Sequence, residues 1–160
     1  MEVTYHPIGT IHSPFTDPAA MPIQPTSDAS RPGTIEIGAP FVEGLKDLDG
    51  FSFVILLYHL HAAGGPALTV TPFLDSEPRG VFATRAPTRP NPIGLSVVEL
   101  VRIEGHVLYV NDLDVLDGTP LLDLKPYVPE FDHRPGGRIG WLEGKQSERL
   151  SDDRFGSGGA

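Results

Sequence analysis

Apolar residues fall along this chain in short runs divided by glycine and proline, the pattern of a β-rich domain. Val3 to Ile11 reads as a first strand, with the alternation clearest around Ile8-Gly9-Thr10-Ile11. Gly33-Thr34-Ile35-Glu36-Ile37 alternates cleanly, as a strand with one buried face does. Phe51 to Leu60 is apolar almost throughout and predicts a central strand buried on both faces. Leu68 to Phe73, Gly80 to Thr84 and Gly94 to Ile103 follow. Val107 to Val110 should pair with the preceding strand through a turn at Glu104-Gly105, and Leu121 to Leu124 is a last short strand. Only Pro40 to Leu48 looks helical: proline stands near its first turn, and Phe41, Val42, Leu45 and Leu48 recur at roughly helical spacing. The prediction is a mainly β fold, a small antiparallel β-barrel with one or two short helices.

Composition supports that picture. At 160 residues one domain is the expectation. The 17 prolines and 18 glycines would suggest disorder in a polar chain, but 39% of the residues are apolar and the breakers fall between strand-like runs. Residues 1–135 are expected to form the barrel, and 136–160 a C-terminal extension, partly flexible toward its Gly-Ser-Gly-Gly-Ala end. Pro14 to Pro32 is long and polar for a structureless loop, which suggests function or disorder. Cysteine is absent, so no disulfide, zinc-thiolate site or thiol nucleophile is available, and a reducing cytoplasm fits. The first residues show no secretory signal, and the longest apolar run, Phe53 to Leu57, is too short to span a membrane. A net charge of −9 argues against nonspecific coating of nucleic acid while leaving room for one local basic patch.

That patch is the segment Pro78 to Ser96. It holds Arg79, Arg85 and Arg89 with no acidic residue among them, and its prolines at 78, 87, 90 and 92 stiffen the backbone. Guanidinium groups on a rigid path suit phosphate, carboxylate or a stacked base; a plain Pro-rich surface connection is the other reading. His59 and His61, two residues apart at a strand end, fit a buried hydrogen-bonded pair, a ligand contact or metal ligation, and without Cys or an H-x-x-x-H companion no metal is expected. Asp112, Asp114 and Asp117 precede a Gly118 turn, where such residues commonly bond their own backbone, and the spacing fails as an EF-hand. Asp123 and Lys125 read as a local ion pair. There is no phosphate-binding glycine loop and no Gly-x-Ser-x-Gly elbow at Ser13, Ser52 or Ser96. An arginine segment beside an acidic turn suits a zwitterionic or sulfonium-bearing ligand, or an anionic substrate next to a cationic cofactor.

Several stretches then carry a resemblance. They are Ile8 to Phe15, Gln24-Pro25, Leu48 to Ser52, Leu56 to His61, Pro78 to Arg85, Arg89-Pro90-Asn91-Pro92-Ile93-Gly94-Leu95-Ser96, Asp117 to Pro120, and Asp123-Leu124-Lys125-Pro126-Tyr127. Together they resemble the TsaA-like family, also called TrmO or YaeB-like, over roughly Val3 to Asp132. One departure is Phe53, where the family usually has His. The resemblance implies a methyltransferase that uses S-adenosyl-L-methionine on a small β-barrel, usually a homodimer, and methylates N6 of threonylcarbamoyl-adenosine beside a tRNA anticodon. It implies cofactor contacts at Gln24, Pro25, Thr26, Leu60, His61, Arg85, Leu95, Asp114, Val115, Leu116 and Asp117. Substrate contacts are expected at Arg79, Arg89, Asn91, Lys125 and Tyr127, and Asp117 or His61 is the expected proton acceptor. The alternatives are a non-catalytic cofactor- or RNA-binding module and a methyltransferase for a smaller adenine-like substrate.

Overall fold

The computed structural model describes residues 1–18, 31–73 and 75–145. Among the described residues eight strands form: β1 (Gly9–His12), β2 (Gly33–Ile37), β3 (Phe53–His59), β4 (Thr69–Val70), β5 (Arg79–Gly80), β6 (Ile93–Glu104), β7 (Val107–Asn111) and β8 (Thr119–Pro126). Six of them close an antiparallel barrel in the order β1-β2-β7-β6-β3-β8, while β4 and β5 pair as a separate two-stranded ribbon. Closure leaves the barrel strands no unpaired edge.

Alternation builds the core. Along β6, Gly94, Ser96, Val98 and Leu100 point inward, and Ile93, Leu95, Val97, Glu99 and Val101 point outward. Ile11, Ile35, Val54, Leu56, Leu108, Val110 and Leu121 meet the inner face of β6 as one apolar cluster. Leu113, from the turn after β7, closes it. Truncating one of these side chains to alanine costs about 2–5 kcal/mol.

Several expectations are corrected. The N-terminal strand is only Gly9–His12, because β1 pairs only where β2 and β8 lie alongside. β3 is not buried on both faces: Val54, Leu56 and Tyr58 are inside, while Phe53 is 41% exposed on the outer face. Pro40 to Leu48 is not an α-helix but a 3-10 helix at Ala39–Leu45 followed by a 3-10 turn at Leu48–Gly50, with Asp47 between them at φ 69°. Leu68 to Phe73 and Gly80 to Thr84 shrink to β4 and β5, and Val81–Ala83 is a 3-10 turn. The hairpin between β6 and β7 turns with Gly105 at φ 61°, a conformation glycine adopts without strain. One α-helical turn, α1 (Pro129–Asp132), was not anticipated.

Between β3 and β6 the chain leaves the barrel and builds a small cluster of its own from Val70, Val81 and Ala86. The segment after α1 returns to this excursion. Trp141 donates its indole N–H to Ala83 O at 2.8 Å, and Lys145 Nζ reaches Asp75 Oδ1 at 2.7 Å. Among the described residues no helix is long and apolar enough to cross a membrane.

Candidate functional site

A cleft opens where β3 ends and β8 begins. Its cavity volume is about 120 Å³, and it is lined by Tyr58, Leu60, His61, Pro87, Asp114, Val115, Leu116 and Thr119 among others. The walls are mainly apolar, and the polar groups are few. Asp114 is buried, with 9% exposure. Ser96 Oγ donates to Asp114 Oδ1 at 3.0 Å, and Tyr58 Oη lies 2.9 Å from Ser96 Oγ. A buried carboxylate is costly unless donors face it, and two strands of the barrel supply this chain.

His61 is fixed from the other side. Thr119 Oγ1 donates to Leu116 O at 2.7 Å, which uses its one proton. The contact of His61 Nδ1 with the same hydroxyl, at 3.3 Å, is then a donation by the imidazole. The neutral ring so held carries its proton on Nδ1 and leaves Nε2 as the acceptor.

The residues expected at the cofactor divide into groups. Leu60, His61, Asp114, Val115 and Leu116 meet in the cleft. Arg85 is exposed two residues before Pro87, which lines it. Asp117 lies in the chain between the lining residues Leu116 and Thr119; its Oδ1 accepts Ser13 N–H at 3.1 Å and stands 3.5 Å from His12 Nδ1. Leu95 pairs with Leu57 across β3 and β6 and faces outward with 45% exposure, away from the inward side that carries Gly94 and Ser96. Gln24, Pro25 and Thr26 lie outside the described residues.

The residues expected at the substrate do not gather in the cleft. Arg79 Nε donates to Asp75 Oδ2 at 3.0 Å, and its guanidinium stands 5.2 Å from the Trp141 ring centroid. Lys145 and Arg79 hold the Asp75 carboxyl well below its ordinary value, and its side chain is 3% exposed. Arg89 turns inward: its Nη1 donates to Val81 O, Thr84 O and Ala86 O, and so staples the excursion. Asn91 lies in a separate shallow groove with Tyr5, His59 and Ile93. His59 and His61 therefore face different recesses.

Lys125 pairs with Asp123 at 2.8 Å, as the charge pattern predicts, and that hydrogen bond raises the ammonium above its usual range. Tyr127 packs edge-on against Phe53 at 6.3 Å. Lys125 stands six positions beyond Thr119 along β8, roughly 20 Å at the rise of a β-strand. Among the described residues, no group of three His, Cys, Asp or Glu side chains is placed to hold a metal.

Tyr58, Ser96 and Thr119 were not anticipated as site residues. The alternation of β6 places Ser96 inward. The bond to Asp114 depends on a turn whose path the sequence pattern does not give.

A family model described as the tRNA-methyltransferase O N-terminal domain matches residues 10–133, and the chain belongs to that family. It is 54% identical over 156 residues to a probable S-adenosyl-L-methionine-binding protein of Pyrococcus abyssi, covering 96% of this chain and 85% of that one. It is 34% identical over 157 residues to the tRNA (adenine(37)-N6)-methyltransferase of Escherichia coli, covering 92% of this chain and 67% of the relative. The crystal structure of TrmO from Pseudomonas aeruginosa superposes with a TM-score of 0.72 at 43% identity. This chain spans 62% of that one.

Proposed function

We propose that this protein binds S-adenosyl-L-methionine in the cleft beside Asp114 and methylates N6 of an adenine in tRNA, the threonylcarbamoyl-adenosine next to the anticodon. The observation that carries the reading is the convergence of Leu60, His61, Asp114, Val115 and Leu116 on one mainly apolar cleft with a buried carboxylate in its wall. The names of the relatives from Pyrococcus abyssi and Escherichia coli support it.

The donor set fits the cofactor. Asp114 offers a carboxylate to a cationic or hydroxyl-bearing group, and Leu60, Val115 and Leu116 offer apolar packing to an adenine ring. When bound, the cofactor supplies an activated sulfonium methyl, so the protein's main task is to align acceptor and donor. In this reading His61 Nε2 accepts the proton that leaves the adenine N6. Asp117, engaged by Ser13 N–H, holds the end of the acidic turn in this reading.

The second half of the site comes, in this reading, from a second copy of the chain. Ile93, Leu95, Val97, Val101 and Phe53 form an apolar outer face on β3 and β6, each between 41% and 49% exposed. Glu99 interrupts this face between Val97 and Val101, and exposed apolar side chains grouped around it mark an interaction site. In this reading a homodimer forms through this face, and Leu95 of one protomer serves the other's site.

The test is methyl transfer. Purified protein is incubated with S-adenosyl-L-methionine carrying a labelled methyl and with tRNA containing unmethylated threonylcarbamoyl-adenosine. The expected result is label on N6 of that nucleoside. Binding of the cofactor with no transfer to this tRNA, or to the free nucleoside, would instead favour a non-catalytic binding module.

A further inference from the structure

The inner end of the cleft carries a chain of hydroxyls whose direction can be read. The carboxylate of Asp114 only accepts, so Ser96 commits its single proton to Asp114 Oδ1. The 2.9 Å contact between Tyr58 and Ser96 must then run from the phenol to Ser96 Oγ. Both protons point toward Asp114. Such an aligned pair satisfies the buried carboxylate and fixes its orientation. The backbone makes room for it: Tyr58 pairs with Gly94 across β3 and β6, and a Cβ at Gly94 would stand 2.2 Å from Tyr58 Cε2. The phenol thus crosses over Gly94 to reach Ser96, two residues further along the same inner face.

We infer that Tyr58 and Ser96 are positioning residues for the cofactor, acting through Asp114 by holding its carboxylate in place at the cleft wall. The inference rests on the cofactor reading of that cleft. A tyrosine that merely filled the core would need no hydroxyl there; phenylalanine would serve.

A double-mutant cycle tests it, read by calorimetric titration with S-adenosyl-L-methionine and with thermal melts as the folding control. Tyr58→Phe should weaken binding about three- to tenfold, the worth of an ordinary hydrogen bond. In the Asp114→Asn background the same substitution should change affinity less than about twofold, because the residue it acts through is already altered. Ser96→Ala, which breaks the chain one link nearer, should repeat the pattern and stands in if Tyr58→Phe melts early. Equal losses in both backgrounds, or no loss from either substitution at wild-type stability, would overturn the assignment while leaving the cofactor site standing. No binding by the wild-type protein would overturn the cofactor reading, and the relay with it.

Discussion

Gly94 has no side chain because the Tyr58 ring occupies the space. A methyl there would meet Tyr58 Cε2, Cζ and Cδ2 at 2.2, 2.6 and 2.8 Å, and these belong to a ring packed in the core. Gly94→Ala should therefore destabilise the fold by about 1–3 kcal/mol, the usual result of overpacking, and thermal melting should show a drop of several degrees. An unchanged melting temperature would mean that the ring can move aside. The Asn91-Pro92-Ile93-Gly94 stretch stands out in the sequence, but its reason lies across the sheet, on β3, in the register that pairs Tyr58 with Gly94. The arginines make the same point. Their rigid path was legible, because proline chemistry is local. That Arg89 points inward to three carbonyls while Arg85 stays exposed depends on how the excursion folds back on itself.

At the scale of elements, the barrel strands follow from alternation and from glycine and proline punctuation, so β2, β6 and β7 sit close to where the pattern puts them. The ends of β1 and the shortness of β4 and β5 do not follow, since pairing stops where a partner strand stops. The 3-10 helix at Ala39–Leu45 has helix-like apolar spacing without the length an α-helix needs. The C-terminal clasp was also hidden, because Asp75 and Lys145 are 70 residues apart. Its pH dependence follows from Asp75. Folding lowers that carboxyl below its ordinary 3.8, through Lys145 first and then Arg79. The clasp thus contributes fully above that pH and is lost as pH falls through the lower folded value. Trp141, the only tryptophan of the chain, reports it. Its emission should shift to the red in Asp75→Asn at neutral pH, and in the wild type only on acidification below about 3.8. Unshifted emission from Asp75→Asn would show that the segment is held without the ion cluster.

For the whole molecule, a barrel with one apolar outer face fits self-association better than an isolated monomer. Val97 lies in the middle of that face, 42% exposed and outside the cleft. Val97→Asp should convert the proposed dimer into a monomer by light scattering at micromolar concentration while the barrel stays folded. A wild-type monomer at that concentration would count against the shared site. The candidate site was legible in part: five of the residues that line the cleft stood together in two sequence stretches, Leu60-His61 and Asp114-Val115-Leu116. Leu95 and Lys125 were legible as motif members, but the direction of their side chains depends on the closure of the barrel.

The measurement that bears most directly on the cofactor site is calorimetric titration of S-adenosyl-L-methionine into the wild-type protein and into Asp114→Asn, with melts confirming that both are folded. The account predicts saturable binding by the wild type and an affinity about ten- to a hundredfold lower in the variant, the range for a charged hydrogen bond. Saturable binding that Asp114→Asn leaves unchanged, or no binding by the wild-type protein, would contradict it.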